Sequence, residues 1–227
     1  MMKSGIDQDA LVKMFTDATA KQGETLRKAV SEATLKALQG RELTMENVRK
    51  VLKTVTQAAS TGAAKNVLPG VDVEALLGKA FAGMDAALLK AVEAQRKALQ
   101  QFVEQGLAVG DKPMKTALAN LEKMEDLFFT TVGKAAKDAG AGVQAPWEHV
   151  LDAMKLKGTG TGTQAATSVE ALMAQAQTAL REGRSASMRQ AQAMLDSYAA
   201  MVSGVLIGMS EGLQSATPAK SSKASSK

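Results

Sequence analysis

The chain has 227 residues, 45% hydrophobic, and a net charge of +5, enough for one large domain or two small ones. It has no Cys, a single His and 3% aromatics against 13 Met, which excludes disulfides, thiolate nucleophiles and Cys- or His-rich metal sites. Three of the basic residues sit in the acid-free stretch 216–227, so the body is nearly neutral and the tail reads as disordered and solubilising.

Alanine, Leu, Met, Gln, Glu and Lys lose little side-chain freedom in a helix, and no stretch alternates convincingly as a strand. The predicted fold class is all-α: long amphipathic helices forming an antiparallel helical bundle or coiled coil, with a disordered C-terminal tail. A core of Ala and Met is shallow, because Ala buries little area and Met adapts its shape.

In chain order, a first helix is predicted over 8–39, with Asp7 as cap and Gly40 as stop. Leu11, Phe15, Ala18, Leu26, Ala29 and Ala33 fall near one face. A second begins after Thr44, carries Val48, Val51, Leu52, Val55 and Ala59, and ends before Ser60-Thr61-Gly62. Pro69-Gly70 then turns the chain. The third has the clearest signal, with Asp72 to cap it and Gly106 to end it. Leu77, Phe81, Met84, Leu88, Ala91, Leu99 and Phe102 recur every three or four residues or multiples of that spacing, with Gln95 among them, opposite Lys79, Lys90, Glu93, Lys97 and Glu104. Such a seam suits a bundle.

A fourth helix follows Asp111-Lys112-Pro113, with Met114, Leu118, Leu121, Phe128 and Val132 as its stripe and Gly140 beyond its end. A short helix over 146–155 holds Trp147, Val150, Leu151 and Met154. The run GTGTGT at 158–163 reads as flexible. The predicted organisation is a helical region at 1–157, a Gly/Thr linker at 158–167, a helical region at 168–214 bent near Gly183 and Ser185, and a Lys/Ser tail at 215–227.

The search for chemistry returns little. His149 is alone and reads as a partly exposed helix residue. Glu122 and Asp126 share a face at i, i+4 spacing but lack the Glu-x-x-His element of four-helix metal sites. No phosphate loop, dinucleotide fingerprint or nucleophile elbow occurs. The chain is therefore expected to be no enzyme and to need no cofactor or metal. Ala200, Gly204, Gly208 and Gly212 form a small-residue stripe, spaced by four, in a segment apolar nearly all round. Such a stripe lets another backbone approach closely, and a central position inside the bundle is its expected setting. Asp7 and Asp9 stand where a secretory signal needs an apolar run. The nearly uncharged stretch 198–209 is too short for a bilayer of ~30 Å. A cytoplasmic location is expected.

The Ala/Gln/Lys-rich helical body, the stripe from Leu77 to Phe102, the absence of Cys and the lysine-containing tail after Pro218 together resemble the phasins, which coat bacterial polyhydroxyalkanoate granules. The resemblance implies an amphiphile whose partner is a hydrophobic granule surface. It would lay Leu77, Phe81, Met84, Leu88, Leu99 and Phe102 on polymer and leave Lys79, Lys90, Glu93 and Lys97 in water. The residues also fit a homo-oligomeric helical scaffold with the glycine stripe at its subunit contact. A third reading is a nucleoid-associated adaptor using the lysine tail, although three lysines offer few phosphate contacts.

Overall fold

Three of the predicted caps close helix starts in the computed structural model, which describes residues 6–18, 22–39, 43–66, 68–105, 112–181 and 198–215. Asp7 accepts from the Ala10 N–H at 2.9 Å and opens α1 (Gln8–Thr16). Thr44 accepts from the Asn47 N–H at 3.2 Å and opens α3 (Met45–Lys65). Asp72 accepts from the Ala75 N–H at 3.1 Å and opens α4 (Val73–Glu104), which stops two residues before Gly106. Each side chain satisfies one of the backbone donors that a helix start leaves unpaired.

The single helix expected over 8–39 is two, α1 and α2 (Gly23–Gln39). The Asn66 amide donates to the carbonyls of Phe15 and Ala18, 2.9 Å each, and so occupies acceptors that a continuing helix would use. The buried face of α2 is also turned from the expected one. Leu26, Val30, Leu35, Ala37 and Leu38 are buried, whereas Ala29 and Ala33 are half-buried.

Helix α3 runs through Ser60-Thr61-Gly62 instead of ending there. Gly62 is the place where α1 crosses α3, and a Cβ on it would overlap the Phe15 side chain and the Val12 carbonyl. The glycine marks a close approach, not a stop. A turn then reverses the chain, with Pro69 at its second position, Gly70 at φ +75° at its third, and the Val71 N–H 3.4 Å from the Leu68 carbonyl. The resulting α3–α4 pair is an antiparallel hairpin, closed where the Thr56 hydroxyl meets the Met84 sulfur at 3.7 Å.

Helix α4 is the axis of the fold and touches α2, α3 and each of the described helices that follow. It buries Ala80, Ala87, Ala91, Ala94 and Ala98 beside its larger residues, and these small side chains let neighbours come close on several sides. Helix α2 lies along α4 in its own direction. Lys79 meets Glu24 at 2.8 Å, and a Cβ on Gly83 would stand 2.6 Å from the Arg27 carbonyl oxygen. The Lys79 ammonium, with Arg27, holds the Glu24 carboxyl down at about 2. A carboxyl depressed in the folded state adds stability above its unfolded pKa, which is lost as pH falls from 4.5 toward about 2. A side-chain NMR titration should show Glu24 titrating well below the ordinary carboxylate range, and Lys79→Ala should return it most of the way toward that range.

The fourth predicted helix is α5 (Lys112–Glu122) and α6 (Met124–Asp138). Hydrogen bonds still cross the irregular Lys123, whose N–H donates to the Ala119 carbonyl and whose carbonyl accepts from Leu127. Met114, Leu121, Phe128 and Val132 are fully buried, as the stripe predicts. The expected cap Asp111 lies outside the described residues. Helix α7 (Ala141–Lys157) starts five residues before Pro146, after Gly140 at φ +99°. Helix α8 (Gly160–Arg181) and α9 (Tyr198–Ser215) complete the described chain.

The 158–167 linker is not a linker. Thr159 and Thr161 are buried, helix begins at Gly160, and α8 packs along α4. The expected break between 1–157 and 168–214 therefore disappears into one core. Gly183, Ser185 and the tail from 216 lie outside the described residues. Among the described residues, no helix is long and apolar enough to cross a membrane.

Candidate functional site

Leu77, Phe81, Met84, Leu88, Leu99 and Phe102 are all at most 1% exposed. The periodicity that singled them out is bundle core. Phe81 stacks on Phe128 with centroids 4.4 Å apart and meets Phe129 at 5.6 Å. The face expected to be wet is only partly so: Lys97 and Glu104 are exposed, whereas Lys90 and Glu93 are half-buried and Lys79 pairs with Glu24. To lay this stripe on any surface, the bundle must first open.

Among the described residues the exposed large apolar side chains are Leu68, Leu156 on α7, Met173 on α8 and Ile207 on α9. Of these helices α9 has the longest uncharged run. It packs on α4 and the end of α2, burying Val202 and Leu206. The Gln39 amide donates to the Leu206 carbonyl at 3.3 Å. Tyr198 lies 5.7 Å from the Phe102 ring, and desolvation there pushes its phenol above the usual range. Met201, Val205 and Met209 are half-buried, and Ile207 is 39% exposed. The glycine stripe faces away from the bundle, contrary to its expected central position. Ala200, Gly204 and Gly208 are exposed, and a Cβ added to either glycine would meet no atom within 4 Å. Gly212 belongs to the same helix, but its surroundings lie outside the described residues. Val202 and Leu206 dock α9 on the core with Tyr198, Met201, Val205 and Met209 packed beside them, and the faces of Gly204 and Gly208 stay open.

A second constellation was invisible in the sequence. Asp85 on α4 accepts from the Gly160 and Thr161 N–H groups at 2.9 Å each and from the Thr161 hydroxyl at 2.6 Å. Glu125 on α6 accepts from the Thr159 hydroxyl at 2.5 Å and its N–H at 3.2 Å. The Thr159 hydroxyl oxygen accepts from the Gly162 N–H at 2.9 Å. Two carboxylates from other helices thus satisfy the positive end of α8. The cap rule applied to Thr159 would have found the helix start. No local signal points to Asp85 or Glu125, because their partners lie 75 and 34 residues away along the chain.

Residues 1–215 match a family of unknown function, DUF6781. The chain belongs to that family. The match covers α1 through α9 and stops where the lysine tail begins. No curated protein and no solved structure matches the chain.

His149 is exposed, with Nδ1 3.0 Å from Glu74 Oε2, and joins α7 to the first turn of α4. Glu122 and Asp126 are exposed, while Glu125 between them turns inward to α8. Among the described residues no three His, Asp or Glu cluster as metal ligands. Two open grooves, of about 420 and 430 Å³, lie between α1 and α2 and between α6 and α7. The second has Phe129, Trp147 and Leu151 below and Lys134, Lys137 and Lys155 at its rim; His149 is not part of it.

Proposed function

We propose that the protein is a non-catalytic helical amphiphile that associates with the hydrophobic surface of storage granules, as its resemblance to phasins implies. The supporting observation is α9: an apolar helix with Glu211 as its only charged residue, packed by one face on α4 and leaving Ile207 partly exposed on another. Exposed apolar surface on a helix otherwise able to bury it fits a contact with an apolar partner. In this reading α9 makes the first contact and the α4 stripe is the reserve.

The test is adsorption of purified protein to polyhydroxybutyrate particles and, separately, to lipid vesicles. Ile207→Asp should weaken polyester adsorption about tenfold, since withdrawing one large aliphatic side chain forfeits about 1.5 kcal/mol or more. Helix content should stay unchanged because Ile207 is not core. Absence of polyester binding by the wild type would sink the proposal. Asp at Leu77 or Leu88 is a poorer probe, because a charge in those fully buried places unfolds the bundle.

The open faces of Gly204 and Gly208 favour a second reading, a homo-oligomer in which two α9 helices meet backbone to backbone. Gly204→Leu with Gly208→Leu would abolish such an oligomer and leave the monomer folded. Sedimentation equilibrium distinguishes the two readings. The adaptor reading rests on the tail, which lies outside the described residues; deleting 216–227 without effect on DNA binding would remove it.

A further inference from the structure

Helix α8 is fastened at its start by polar contacts, and beyond it lies along α4 with α5 and α6 also against it. Its first turn makes the Asp85 and Glu125 hydrogen bonds described above. The fit is also steric: a Cβ on Gly162 would fall on the Glu125 carboxylate, and one on Gly160 would press Leu89 Cδ1 at 3.0 Å. Further along, Gln175 donates to Glu104 at 3.3 Å between exposed side chains. With Thr161 beside Asp85 and Gln175 beside Glu104, the two helices run in the same direction, which places Ser168 at the level of Gln95. Both are buried, yet Gln95 Oε1 and Ser168 Oγ have no hydrogen-bond partner. Thr131 Oγ1, on α6, is buried without one too. A buried polar atom left unpaired weakens the contact that buries it.

The seat itself is shallow. The underside of α8 is Ala165, Ser168, Val169, Leu172 and Ala176, with two alanines and a serine among five residues. What it covers is not shallow. At about 100° per residue, Val92, Leu99 and Val103 lie within about 40° of Asp85 around α4, and all three are fully buried. Only Gly158 and Thr159 separate α7 from α8, and Gly158, at φ +73°, meets no atom that would restrain a Cβ there. It can serve as a hinge.

We propose that the first turn of α8 is a latch: Asp85 and Glu125 hold it shut, and its release lifts α8 from α4 and uncovers an apolar face that includes Leu99. The latch stands on the geometry of the bundle. Its use as a gate for a hydrophobic surface rests on the granule-binding reading above. An apolar surface gains from the uncovered face whatever α8 gives up, so contact and opening favour each other.

Native-state hydrogen exchange of the full chain tests the latch. Gly162→Ala strikes Glu125 sterically while raising intrinsic helix propensity; Asp85→Asn removes the charge that caps the turn; Glu125→Gln is the mildest of the three. Amides of α8 should exchange at least about tenfold faster, equivalent to about 1.4 kcal/mol, with those of α2 and α3 unchanged. Uniform acceleration in all helices, or no change in α8 in any variant, overturns the latch. Adsorption to polyhydroxybutyrate particles then tests the gate. Faster adsorption than wild type supports it, whereas wild-type rates with α8 open overturn it and leave granule binding standing. No adsorption by any form, with α8 open in the variants, overturns granule binding and leaves the latch standing.

Discussion

Gly62→Ala and Gly83→Ala should each destabilise the protein by about 2 kcal/mol, whereas Gly204→Ala and Gly208→Ala should each stabilise it by up to about 1 kcal/mol. All four glycines sit in helix interiors, where intrinsic propensity alone favours Ala by about 1 kcal/mol. The surroundings decide the sign. At Gly62 the new methyl would meet the Val12 carbonyl and the Phe15 Cβ; at Gly83 it would meet the Arg27 carbonyl at 2.6 Å and Val30 Cβ at 2.8 Å. Carbonyl oxygens fixed in a helix cannot swing away, so α1 must move off α3, or α2 off α4, and Phe15 or Val30 loses its packing. Around Gly204 and Gly208 there is only open space. Thermal unfolding should show Tm falling by about 4–8 °C for the first pair and rising by about 2–4 °C for each of the second. A rise in Tm for Gly62→Ala would mean that α1 does not dock on α3 as described.

The same four residues show what the sequence can and cannot convey. Gly62 reads as a stop and Gly204 as a contact, yet the first is the tight contact and the second is open. A glycine in a helical pattern announces an absent side chain, not which neighbour needs the room. The elements were legible in part: composition pointed to the all-helical class and Asp7, Thr44 and Asp72 marked three helix starts. The breaks between α1 and α2 and between α5 and α6 were not legible, and the start of α8 reads as linker. The stripe of α4 was legible as well, but periodicity reports that a face is apolar and not what covers it. Leu77 and Phe102 would look the same on a granule-coating helix or in a bundle core. The latch was illegible for a different reason. Its Thr and Gly residues look like a flexible linker until Asp85 and Glu125 arrive from α4 and α6. Those carboxylates turn loop-forming residues into a helix start.

Trp147→Ala should cost about 3–5 kcal/mol, the largest loss expected from any single truncation in α7. Trp147 is fully buried, and its indole N–H donates to the Ser60 hydroxyl at 2.8 Å. That hydroxyl donates in turn to the Thr56 carbonyl at 2.8 Å. Truncation thus removes the largest side chain of the core and leaves Ser60 short of a donor. Ser60→Ala should cost less, about 1–3 kcal/mol, by stranding the indole N–H without a partner. Trp147→Phe with Ser60→Ala together should cost less than the two alone added, since the shared bond is lost only once; additive losses would show that the bond contributes nothing. The same ring reports on function. It is the only Trp in the chain, and it ties α7, on the fixed side of the Gly158 hinge, to α3. If adsorption to polyester lifts α8 and engages α9 while α3, α4 and α7 stay together, Trp147 emission should remain blue-shifted on the particles. A red shift to the value of the unfolded chain would instead mean that the whole bundle comes apart on the surface, and that neither the hinge nor the latch directs the opening.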